Sequence, residues 1–116
     1  MAKNVLVDAG FFVALLSRRD EHHAWAKSVA ADWQPPWRTC ESALSEAFHL
    51  LGSRGEPALA ALLRRGALLV AFELEPHLKE VLVLLKKYAD VPMSLADGCL
   101  VRMTETLADA IVVTTD

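Results

Sequence analysis

The chain has 116 residues, of which 53% are hydrophobic and only 7% aromatic, so it is sized for one domain with an aliphatic core. Its net charge of −3 excludes a protein that grips nucleic acid with its whole surface; such a contact needs a local basic patch, a metal or a partner. Two cysteines, Cys40 and Cys99, lie far apart without a CxxC spacing, which argues against a disulfide framework or zinc site and for reduced core thiols in a cytoplasmic protein.

Four strand-like runs punctuate the chain. The first, Asn4–Val7, leads through Asp8 into a helical segment, AGFFVALLS (9–17). DEHHAWAKSVAADW (20–33) predicts a helix capped by Asp20, with Ala24, Trp25, Val29 and Trp33 at helical spacing. Its tryptophans, with Trp37, are expected to pack that helix or form a dimer face rather than to stack on bases. The second strand is Pro36–Cys40, and its leading Pro35-Pro36 pair places it toward a sheet edge. ESALSEAFHLLGSRG (41–55) and EPALAALLRRG (56–66) predict two helices parted by a glycine-bounded loop. The third strand, Ala67–Phe72, precedes an amphipathic helix, PHLKEVLVLLKKYAD (76–90). SLADGCLVRMTETLA (94–108) then runs to the fourth strand, Ala110–Thr115.

The first, third and fourth strands are nearly continuous aliphatics, the pattern of parallel strands covered on both faces. Alternation with helices predicts an α/β domain over residues 1–116 with a mostly parallel sheet. No run approaches the ~20 apolar residues that span a bilayer, and the apolar run before Asp8 is too short for a signal segment, so no membrane partner is expected.

Asp8 interrupts two apolar runs, and it does so at a strand end. Ligands of open parallel sheets bind beyond the carboxyl ends of the strands. Asp8 ends the first strand, Glu46 lies about one turn into the helix after the second, Asp97 falls in the first turn of the last helix, and Asp116 ends the fourth strand. Each has a plainer reading. Asp8 suits a helix N-cap, and Ser94-Leu95-Ala96-Asp97 matches a capping box. Together, however, they crowd negative charge at one end of the sheet. Asp97 is flanked by Leu95, Cys99 and Leu100, which predicts a partly buried helix start. No lysine or arginine lies close in sequence to Asp8 or Glu46.

A divalent cation resolves such crowding, and Mg2+ or Mn2+ takes hard oxygen ligands of this kind, completing its shell with water and substrate phosphates. The chemistry expected of that site is phosphoryl hydrolysis. Thr114, Thr115 and Ser42 are candidates for orienting water or substrate. Arg102, on the same helix as Asp97, and Arg38, before Glu41, are candidates for contacting nucleic-acid phosphates.

The motifs VLVDAGFFVALL, SEAFHLL, ADVPMSLADGCLVRM and IVVTTD, in this order, resemble the PIN domain and, more narrowly, the VapC-type toxins of toxin–antitoxin pairs. The resemblance implies a three-layer fold with a sheet of four to five strands. It implies a magnesium- or manganese-dependent endoribonuclease that cuts single-stranded or looped RNA, with Asp8, Glu46, Asp97 and Asp116 as its acids. It further implies a homodimer silenced by a cognate antitoxin. Two features depart from the family: the sequence stops at Asp116, short of the usual length, and Gly98 follows Asp97 where alanine is common. The competing expectation is a non-catalytic α/β interaction module, an inactive or truncated PIN-like domain whose acids are caps and surface charges.

Overall fold

Alternation along the first strand divides the core in two. The computed structural model describes residues 3–115. In β1 (Asn4–Val7), Val5 and Val7 pack into one hydrophobic cluster and Leu6 into another, because successive side chains leave a strand on opposite faces. β1 lies between β2 (Trp37–Thr39) and β4 (Ala110–Val113), and β3 (Leu68–Val70) pairs with the far side of β2. The sheet is parallel throughout, in the order β3-β2-β1-β4.

Helices cover both faces. On the Val5/Val7 side lie α1 (Ala9–Leu16), α2 (His23–Asp32) and most of α3 (Glu41–Arg64). Phe11, Phe12, Trp37, Leu59 and Leu62 fill that layer. On the Leu6 side lie α4 (Leu74–Lys87) and α5 (Leu95–Thr106), which bury Phe72, Val81, Leu100 and Met103. Completely burying side chains such as Phe11, Phe12 and Leu6 contributes about 1.5–3 kcal/mol each. The three-layer α/β arrangement matches the expectation, with four strands among the described residues. No helix among them is long and apolar enough to cross a membrane.

Several details differ from the sequence reading. β2 is interior rather than near an edge: its prolines precede the strand, so they remove no donor from the ladder. β3 is an edge strand, and Leu69 and Val70 are exposed instead of covered. Asp20 does not cap α2. Its carboxylate accepts the His22 backbone N–H in a turn, and α2 starts at His23. The two helices expected over 41–66 are present within α3, but they are parted by the single residue Gly52 (φ 65°, ψ −167°) rather than by a loop, with Pro57 just over a turn beyond. That backbone region is open essentially to glycine alone.

Gly98 has a packing reason. A Cβ there would come within 3.2 Å of Leu85 and 3.3 Å of Val81, so the bare backbone lets α5 lie close against α4. Of the tryptophans, Trp37 is in the core and Trp25 and Trp33 are partly exposed. Trp37 is buried edge-to-face against Phe11 and donates its indole N–H to the Trp33 carbonyl at 2.6 Å, and Trp25 also meets Phe11 edge-on.

Candidate active site

Strand register brings the first acid to its partners. Val7 pairs with Val113, so Asp8 and Thr114 emerge side by side from the carboxyl ends of β1 and β4. Asp8 is the N-cap of α1. Its Oδ1 accepts the Phe11 backbone N–H at 2.9 Å, and its Oδ2 accepts the Thr114 hydroxyl at 2.5 Å. The buried Thr39 hydroxyl donates to the Val7 carbonyl at 2.8 Å, which ties the end of β1 to β2 immediately before Asp8.

Asp97 is fixed by its own helix start. Ser94 caps α5: the Asp97 backbone N–H donates to Ser94 Oγ at 3.0 Å, and the Ser94 N–H donates to Asp97 Oδ2 at 3.1 Å. This capping box turns the carboxylate outward, so Asp97 is exposed while Ala96, Gly98 and Cys99 around it are buried. The helix start is partly buried as expected, while the Asp97 carboxylate itself faces solvent. Glu46 is also exposed, on the first segment of α3.

These three acids line one cavity of about 300 Å³, together with Gly10, Leu50, Ser94 and Thr115. Asp8 and Asp97 also line a neighbouring cavity of about 290 Å³ with Met93, Val112 and Thr114. The acid pair therefore stands where two openings meet. Among the described residues, Arg102 forms an ion pair with Glu105 and the His22 ring lies 3.4 Å from Glu21, and none of the three acids has such a basic neighbour.

Gly10 is a site residue that the sequence did not disclose. A Cβ on it would fall 2.6 Å from Thr115 Oγ1 and 3.5 Å from Asp8 Oδ1. Its lack of a side chain lets the segment after β4 lie against the start of α1. Nothing in the local sequence signals this, because glycine in the first turn of an apolar helix reads only as a weak helix former.

Other candidates are not gathered here. Arg102 donates Nε–H to His77 Nδ1 at 3.1 Å and pairs with Glu105 at 3.3 Å, in a different cavity. Five residues from Asp97 turn it about 140° round the helix, onto another face. Arg38 faces a cavity with Lys3, Asn4 and Asp32, around the start of β1, because strand alternation sends it away from Trp37 and Thr39. Ser42 interacts with the Cys99 thiol instead of lining the acid cavity. Asp116 lies outside the described residues.

The donor set consists of hard oxygens without basic partners, open to solvent. That chemistry fits a hydrated magnesium or manganese ion held by Asp8 and Asp97, with Glu46 acting through water. It does not form a cage: among the described residues no three His, Cys, Asp or Glu side chains are grouped to hold one ion. Capping does not disqualify the aspartates, since a carboxylate offers about four acceptor positions and each cap occupies one.

Comparison with known proteins identifies the family and the fold. The family of PIN domains matches residues 5–116. A solved structure, VapC20 of Mycobacterium tuberculosis, described as a sarcin-ricin loop cleaving toxin, superposes with a TM-score of 0.80. It is 23% identical, and the match covers 97% of this chain and 92% of that one. No match is found among curated protein sequences.

Proposed function

Because the chain belongs to the PIN-domain family, we propose that it is a metal-dependent endoribonuclease of the VapC toxin type, hydrolysing phosphodiester bonds of single-stranded or looped RNA as a single domain. The observation that carries this reading is the convergence of Asp8, Glu46 and Asp97 on one cavity at the carboxyl ends of a parallel sheet, without basic partners among the described residues.

Bare carboxylates repel a phosphodiester, so the acids cannot recognise RNA by themselves. When bound, Mg2+ or Mn2+ would supply positive charge for the phosphate oxygens and the leaving group and would acidify water. The chain's own contribution is position. The α1 cap and Thr114 hold Asp8, the capping box holds Asp97, and both are preorganised before substrate arrives. Glu46 and the Thr115 hydroxyl line the same space and can orient a water toward phosphorus. Asp116 is proposed as a fourth acid of this site.

A cytoplasmic setting, a homodimer and a cognate antitoxin belong to the same proposal. Exposed Leu78, Leu82 and Val83 on α4 offer apolar surface for such contacts. The sarcin-ricin loop, which the structural neighbour is described as cleaving, is the first substrate to try.

The deciding test is cleavage of unstructured and looped RNA with magnesium or manganese. Chelator is expected to stop it, and Asp8→Asn or Asp97→Asn is expected to lower it by at least ~100-fold, comparable to losing a principal catalytic group. Undiminished cleavage by Asp8→Asn would sink the assignment. A second reading, a non-catalytic interaction module, is favoured by one observation: both aspartates already serve as helix caps and no three-ligand group is formed among the described residues. Manganese binding to the wild type, lost in Asp97→Asn, separates the two.

A further inference from the structure

A substrate longer than one nucleotide must leave the acid cavity somewhere, and its two openings differ. The side by Met93 and Val112 carries no basic residue in its lining. The other side adjoins a cavity of about 330 Å³ that shares Leu50 with the acid cavity and is lined by Arg18, Arg19 and Arg54. All three arginines are solvent-accessible, and none is in an ion pair among the described residues. In a chain of net charge −3, three exposed cations line one cavity whose lining holds no carboxylate, so they are open to an anionic ligand. Guanidinium matches phosphate oxygens in a two-pronged geometry that ammonium lacks. The lysines of α4 contrast with this: Lys79 and Lys87 line a cavity that also holds Glu80 and Glu105 and shares no residue with the acid cavities.

Resting on the ribonuclease reading above, we infer that Arg18, Arg19 and Arg54 form the track for RNA phosphates flanking the scissile bond. Leu50, 56% exposed at the seam between the two cavities, supports the intervening base. An acidic protein segment would also suit the arginines alone. Continuity with the acid cavity favours the substrate strand.

The test measures binding of a fluorescent oligouridylate across a salt series, in the Asp8→Asn background with chelator present. Arg18→Gln/Arg19→Gln/Arg54→Gln is expected to weaken binding at least tenfold at low salt. It should also flatten the log K against log salt slope by about 2, at about 0.7 per lost contact to a single strand. Lys79→Gln/Lys86→Gln/Lys87→Gln removes the same charge and is expected to change binding less than twofold. Single Arg54→Gln, checked for an unchanged melting temperature, guards against a folding defect and is expected to give about a third of the slope change. Equal losses in the two triple variants would reduce the effect to net charge and overturn the track. An unchanged slope in the arginine variant would also overturn it, including the case where that variant loses affinity only for an acidic peptide. Wild-type cleavage alongside such a negative result leaves the nuclease reading intact and removes only the track. Arginine-dependent binding without any cleavage does the reverse.

Discussion

Asp8 divides its carboxylate between two partners, the Phe11 N–H and the Thr114 hydroxyl, and Asp97 gives one oxygen to the Ser94 N–H. Capping and site formation stand as alternatives in the sequence. In the structure both caps are made and both carboxylates still line one cavity, because the hydrogen bond that starts a helix also fixes the carboxylate's direction. Asp8 was legible because its place at the end of β1 follows from local pattern, and Glu46 and Asp97 because each falls in the first turns of a helix whose start the sequence marks. Arg18, Arg19 and Arg54 were not legible, because their approach depends on how the end of α1 packs beside α3. Gly10 was hidden for the same reason. Its tight contact with Thr115 gives a prediction at this scale. Gly10→Ala should destabilise by about 1–3 kcal/mol, as overpacking does, despite alanine's better helix propensity. In a Thr115→Ala background the penalty should vanish, and thermal melts of the four proteins in a double-mutant cycle measure the coupling.

Element boundaries followed the sequence where local chemistry sets them, as in the capping box that starts α5 at Leu95. They departed where pairing or packing decides. β2 is interior because both neighbours pair with it, which its three-residue, proline-preceded sequence cannot announce. The glycines near residue 52 read as a loop, yet the chain there makes a break and continues as helix. A Cβ at Gly52 meets nothing within 4 Å, so any penalty on substitution is conformational rather than steric. Gly52→Ala is therefore expected to cost about 1–3 kcal/mol, the range for a side chain forced into this region. Denaturant unfolding checks it. Ser53→Ala, one residue on and exposed, should shift stability by less than about 0.5 kcal/mol.

At the scale of the molecule, the three-layer α/β fold was readable because strand and helix patterns alternate along the whole chain. The assignment of residues to two separate cores depends on which face of the sheet each helix covers, which local pattern does not reveal. The second core holds both thiols, buried and unpaired as expected from their spacing. Burial pushes both thiol pKa values up. For Cys99, burial and then the neighbouring Cys40 raise it from an ordinary 9.0 to about 11. The folded state thus keeps a proton that the unfolded chain releases. This group adds no pH dependence below about 9, and stability falls as pH rises from 9 toward 11. The difference between wild type and Cys99→Ala across that window isolates the effect: the variant should show the shallower decline.

Cys40 begins α3, and its thiol reaches the Ala96 carbonyl, whose residue lines the acid cavity. Both sulfur atoms are buried in the core beneath α4 and α5, and a bulky maleimide reaches them only when that core opens. Labelling rate becomes a clock for those openings, readable by mass spectrometry without any substrate, and anything that clamps the core shut must slow it.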